Sequence, residues 1–185
     1  MTTQTLTLSD LSTKNRVFWI SVFAILTGLS SLVKISLGFT PVPITLQTMA
    51  VMLSGVVLAR HAFWAQFGYV LLGCVGLPFF TPEVPGVQVL FGATGGYLLG
   101  FVVSASFIGY KIRPQWETLP IWKKATLLLA SSMLIFIPGV IQLKLVSGAS
   151  ITEVLKMGFY PFILGEVVKS LLVSFYPSKW TLTVR

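Results

Sequence analysis

The chain has 185 residues, 55% hydrophobic and 10% charged, with a mean hydropathy of +0.88. Soluble domains carry about 25% charged residues, so this composition excludes a soluble globular protein and indicates an integral membrane protein. A formal net charge of +8 would suggest a nucleic-acid partner on a soluble chain. Here the basic residues sit in short loops between apolar runs, without a basic stripe of interleaved aromatics, and membrane orientation accounts for them.

Residues 1–16 read as a short polar cytoplasmic tail. The apolar run that follows is too long for the core of a cleavable signal and lacks a small-residue cleavage site. From residue 17 to 185 the pattern predicts an all-α integral membrane domain with six transmembrane helices, because apolar runs near 20 residues are long enough to cross the hydrocarbon. The predicted spans are Val17 to Leu37, a short one from Ile44 to Ala59, Ala62 to Phe80, Gly92 to Tyr110, Lys124 to Val146, and Tyr160 to Tyr176. No internal repeat or second domain is visible.

The loop charges orient these spans. Lys14 and Arg16, Arg60, the group Lys111, Arg113, Lys123 and Lys124, and the pair Lys179 and Arg185 all fall on one side of a six-span chain. Glu83, Glu153 and Lys156 fall on the other. The positive-inside rule then puts both termini in the cytoplasm.

Within the membrane the polar residues are few. The first run holds "AILTG", in which Ala24 and Gly28 are four apart and make a smooth strip for another helix. The segment "GFTPVPITLQT", Gly38 to Thr48, cannot be regular helix at Pro41 and Pro43. Phe39, Val42 and Ile44 keep it apolar, so it reads as a rigid extended loop on the outer side, able to fold over a cavity, or as an ordinary proline-stiffened turn. Thr45, Gln47 and Thr48 follow at the head of the second span. Cys74 is alone in an apolar run, and His61 beside Arg60 reads as an interfacial loop residue. One thiol and one imidazole offer neither a disulfide nor a metal site, and no cofactor is expected. In "FGATGGYLLGF", Phe91 to Phe101, the glycines suit close helix packing, and Tyr97 brings a polar tip among them. The segment lacks the Gly-Lys-Ser/Thr ending of a phosphate loop, so the chain cannot drive ATP-powered transport by itself.

The last run, "FYPFILGEVVKSLLVSFYP", carries Glu166 and Lys169 three apart, on one helical face. Glu166 lies about 10 Å below the outer helix end at 1.5 Å per residue. A charge at that depth costs at least ~2.5–3.5 kcal/mol on insertion scales, so both side chains should face the protein interior or a cavity. A buried pair that only fixes helix packing is one reading, although apolar replacements of buried pairs are often neutral or stabilising. A ligand site is the other. An acceptor beside a donor matches a compact group with both N–H and C=O, such as a urea or an amide; a proton relay would also use the carboxylate.

Together, "TPVPITLQTMAVMLSG" (Thr40 to Gly55), "LLGCVGLPFF" (Leu71 to Phe80), "GATGGYLLGF" (Gly92 to Phe101) and "LGEVVKSLL" (Leu164 to Leu172) resemble the characteristic segments of the BioY family. Its members are the substrate-binding (S) components of the energy-coupling-factor (ECF) biotin transporters of bacterial plasma membranes. The resemblance implies an outward-facing biotin pocket whose ureido ring is met by Glu166 and Lys169, with Tyr97, Thr45 and Gln47 as further substrate-binding candidates. It implies a lid loop after the first helix, formed by Phe39, Thr40, Pro41, Val42 and Pro43. It also implies a transmembrane coupling subunit and two ATPase subunits as partners, with Ala24 and Gly28 at the contact, or else action as a homo-oligomer. The chain departs from the family pattern in two places. Leu164, Gly165 and Glu166 stand where Pro-Gly-Asp is usual, making the acid one methylene longer, and Thr81 to Val87 replaces a glycine-rich loop.

An S component for another vitamin would not need the Pro-Val-Pro-Ile-Thr run. A lipid-modifying enzyme would need a nucleophile and base or a metal site, which one His and one Cys do not supply. A carrier in which Glu166 titrates would show proton flux without biotin.

Overall fold

A computed structural model describes residues 13–80 and 86–177. Among these, eight α-helices and one two-stranded antiparallel ribbon are formed. Six helices build the bundle: α1 (Thr13–Leu29), α2 (Gln47–Leu58), α3 (Ala62–Cys74), α5 (Gly95–Phe107), α6 (Ile121–Ser147) and α8 (Tyr160–Ser174). Two short ones, α4 (Gln88–Phe91) and α7 (Ile151–Gly158), precede α5 and α8. The six predicted spans correspond to the six bundle helices, with shifted ends.

The first span differs most. Its helix takes in Thr13 to Arg16 and stops at Leu29. Lys34 and Ile35, expected inside the helix, form β1 (Lys34–Ile35), which pairs with β2 (Ile44–Thr45) in the register Lys34 to Thr45 and Ile35 to Ile44. The ribbon places Lys34 at the outer end, out of the hydrocarbon. Prolines 41 and 43 lie in the connection between the strands, where their missing N–H groups break no ladder.

The stretch Gln47–Cys74 is apolar enough to be one span, yet it reverses. A continuous helix would separate Gln47 from Tyr69 by about 33 Å, whereas Gln47 Nε2 lies 2.6 Å from the Tyr69 hydroxyl. Gln66 Nε2 likewise meets Ser54 Oγ at 3.0 Å. The chain turns at Ala59, which takes φ = 51°, and a single 3-10 turn over Ala59–His61 leads into α3. With 12 residues, α2 is about 18 Å long and falls short of the ~30 Å hydrocarbon. The ribbon and the loop between its strands occupy the outer space that α2 leaves.

Close contact between helices depends on small residues. At Gly100 a Cβ would stand 2.6 Å from Ile135 Cα of α6, and at Gly96 it would run into the Pro138 carbonyl. The glycine segment is thus the α5–α6 seam. Pro138 lies inside the continuous helix α6, at the same seam. The Ala24–Gly28 strip is also used within the chain. Both residues are buried, Gly28 lies under the Phe79 ring, and Ala24 Cβ faces Gly68 of α3.

The basic residues of the α1 start, the α2–α3 turn and the α5–α6 connection gather at one end, while Lys34, Lys144 and Lys156 lie toward the other. Arg60 and Arg16 lie close enough to His61 to act on its charge. Trp116, in the α5–α6 connection, donates its ring N–H to the Tyr176 carbonyl at 3.3 Å and carries Lys124 Nζ 4.8 Å above its ring. Lys179, Arg185, Glu83 and the tail residues 1–12 lie outside the described residues. By the positive-inside rule the basic end is cytoplasmic, and the ribbon, α4 and α7 mark the outer end.

Gly100→Val should lower stability by about 1–3 kcal/mol or more, the usual effect of overpacking, while Gly165→Ala, with nothing within 4 Å of the added Cβ, should be neutral or gain up to about 1 kcal/mol of helix propensity. Thermal unfolding in detergent reads both; equal midpoints would contradict the seam.

Candidate functional site

Glu166 and Lys169 project from the same face of α8 into the bundle, with only 1% and 7% of their surfaces exposed. Lys169 Nζ stands 2.8 Å from Glu166 Oε1. Thr48, in the first turn of α2, joins them: its hydroxyl donates to Glu166 Oε1 at 2.6 Å and accepts from Lys169 Nζ at 2.8 Å. The three side chains form a closed triangle linking α2 to α8. Two of its three hydrogen bonds converge on one carboxylate oxygen, Glu166 Oε1. The other, Glu166 Oε2, is buried with no hydrogen-bond partner among the described residues. Two of the three ammonium protons of Lys169 are accounted for by Thr48 and Glu166. The triangle therefore retains one acceptor and one donor side by side, and a buried carboxylate oxygen left unpaired is costly.

A second polar group lies one residue earlier on α2. Gln47 donates through Nε2 to the Tyr69 hydroxyl at 2.6 Å and accepts at Oε1 from the Thr45 hydroxyl at 3.2 Å. The Tyr69 hydroxyl donates onward to the Phe79 carbonyl at 3.4 Å. Both groups line one cavity at the outer end of the bundle. Apart from Ser31 and Thr94 its remaining wall is apolar, with Phe80, Phe101, Phe136 and Phe162 among the lining residues. Phe80 meets the Tyr69 ring edge-on at 5.7 Å. A chamber with a few convergent polar groups on an apolar wall is the usual form of a small-molecule site.

All five expected substrate-site residues, Glu166, Lys169, Tyr97, Thr45 and Gln47, line this cavity. Tyr97 does so with its ring, because its hydroxyl donates to the Gly158 carbonyl at 2.9 Å. The loop residues divide. Val42 and Pro43 line the cavity, Phe39 and Pro41 are exposed, and Thr40 donates to the Met157 carbonyl at 2.8 Å. The sequence reading passed over Thr48 as a site residue, although a threonine at the head of an apolar helix is the same kind of signal as Glu166. Tyr69 had no comparable signal, since a tyrosine in an apolar run reads as ordinary core. Of the divergent segment Thr81 to Val87, residues 81–85 lie outside the described residues.

The fold and this cavity define a multi-pass membrane protein with a polar-cornered chamber at its outer end. The chain belongs to the BioY family, whose pattern matches residues 1–184. It is 38% identical over 137 residues to a protein of Lactococcus lactis subsp. cremoris (strain MG1363) named biotin transporter BioY2, covering 73% of this chain and 74% of that one. It is 37% identical over 149 residues to the biotin transporter BioY of Thermotoga maritima, covering 80% and 85%. A crystal structure at 2.1 Å, described as the S-component for biotin from an ECF-type ABC transporter, superposes with a TM-score of 0.79 over 89% of this chain and 90% of that one. Identity there is 22%, so the likeness concerns the fold.

Lys169→Ala would leave the Glu166 carboxylate buried with Thr48 alone and should cost about 3–5 kcal/mol. Glu166→Leu combined with Lys169→Met should recover most of that loss. Chemical unfolding in detergent compares the two; a stable single variant would mean that the pair is hydrated rather than buried.

Proposed function

We propose that this chain is the biotin-binding S component of an ECF-type transporter, working in the plasma membrane with a transmembrane coupling subunit and two ATPase subunits. The names of its relatives supply the ligand class. The observation that carries the reading at the residue level is the unpartnered Glu166 Oε2 beside the Lys169 ammonium in an aromatic chamber.

The ureido ring of biotin presents N–H donors next to a carbonyl oxygen. One N–H donates to Glu166 Oε2, satisfying the orphan acceptor, while the third proton of Lys169 goes to the ureido oxygen. Thr48 holds the other carboxylate oxygen, so Oε2 is the one turned to the ligand. The thiophane ring and valeryl chain lie against the aromatic wall, where they displace water from apolar surface. The loop from Phe39 to Pro43 acts as the lid, with Val42 and Pro43 as its inner surface. Energy for transport comes from the partners, since no nucleotide-binding motif is present in this chain.

Calorimetric titration of the detergent-purified chain with biotin, thiamine and riboflavin tests the ligand, and biotin alone should bind. Glu166→Gln and Thr48→Val should each weaken biotin binding, the former by about ten- to a hundredfold, as expected for a lost hydrogen bond to a charged group. Undiminished affinity of Glu166→Gln would sink the assignment of the ureido ring to this corner.

A further inference from the structure

The junction between α7 and α8 leaves two backbone carbonyls without the partners a continuous helix would supply. In an unbroken helix the Met157 carbonyl would accept from residue 161 and the Gly158 carbonyl from residue 162. Residue 161 is a proline with no N–H to give, and it stands in the first turn of α8. The Phe162 N–H goes instead to the Phe159 carbonyl at 3.0 Å, because the backbone bends at Phe159 (φ −136°, ψ −63°). Two side chains from distant elements take the freed carbonyls. The Thr40 hydroxyl donates to Met157 at 2.8 Å, and the Tyr97 hydroxyl donates to Gly158 at 2.9 Å.

Thr40 belongs to the loop between the two strands of the ribbon. Its oxygen also accepts from the Val42 N–H at 3.1 Å, which fixes the turn that sets Val42 and Pro43 against the cavity. One hydroxyl thus shapes the inner face of the loop and ties it to the head of α8, the helix that carries Glu166 and Lys169. Tyr97 holds the same junction from α5, and at Gly158 any side chain would collide with the Tyr97 hydroxyl.

We infer that Thr40 and Tyr97 are positioning residues of the ligand site, and that the Thr40–Met157 hydrogen bond, made available by Pro161, is the catch that holds the lid closed and sets the rate of ligand release. This rests on the proposed function, in which that loop is the lid and biotin the ligand. The catch itself exists without ligand and is testable without it.

Hydrogen–deuterium exchange of the ligand-free full chain in lipid nanodiscs should show the segment Gly38 to Ile44 exchanging at least about fivefold faster in Thr40→Val, which loses both the Met157 and the Val42 hydrogen bonds, and near the wild-type rate in Thr40→Ser. Pro161→Ala should loosen the same segment, because alanine restores an N–H that competes for the Met157 carbonyl while the Thr40–Val42 turn stays intact. A merely local turn would not respond to a substitution on α8. In the second arm, release of radiolabelled biotin should be about five- to tenfold faster in Thr40→Val and Pro161→Ala, with association changed little. Wild-type exchange at Gly38 to Ile44 in both variants would overturn the catch. Faster exchange with unchanged release would overturn its control of the ligand. A wild-type chain that binds no biotin would overturn the ligand assignment, while the exchange arm would still decide the catch.

Discussion

A charged pair inside a bilayer has few places to go. Glu166 and Lys169 sit well inside the last helix, where water cannot solvate them and lipid will not. Their mutual contact neutralises charge but does not satisfy every proton and lone pair. Thr48 supplies the third member, and α2 must therefore begin at this depth and face α8. Much of the outer end follows from that constraint. A helix that begins at Gln47 is too short to fill the membrane, so a ribbon and a proline loop close the remaining space, and the cavity lies between them and the buried pair.

The same proline chemistry appears twice with opposite results. Pro41 and Pro43 keep the loop free of ladder bonds. Pro161 removes a donor from α8, and the carbonyl released becomes the attachment point for that loop through Thr40. A backbone group left without its helical partner must find another inside a membrane protein, and here the replacement ties together elements 117 residues apart in sequence. Gln142 does comparable work on the other side of the cavity, donating from α6 to the carbonyls of Leu90 and Gly92 at 2.6 and 2.7 Å where α4 gives way to α5.

Small residues divide between two tasks that look alike in sequence. Gly96 and Gly100 bring α5 onto α6, as their spacing suggests. Ala24 and Gly28 have the same spacing and also serve packing inside the chain, Ala24 against Gly68 of α3 and Gly28 against the Phe79 ring beyond its end. A small-residue strip marks close approach of some helix; whether that helix belongs to the same chain depends on which neighbours the fold provides.

Composition, six apolar runs and the one-sided distribution of basic residues determined the membrane class, the helix count and the orientation, because the bilayer imposes length and charge rules that act on each segment separately. The acid and base three apart on one helical face determined that a polar site would lie within the last span. Only the tertiary structure decided the rest. Thr48 and Tyr69 became site residues by meeting partners on other helices, the first helix stopped at Leu29 in favour of a ribbon, and the Ala24–Gly28 strip turned inward. Each of these depends on contacts between residues far apart in the chain, where helical periodicity carries no information and the choice is made by which buried groups find partners.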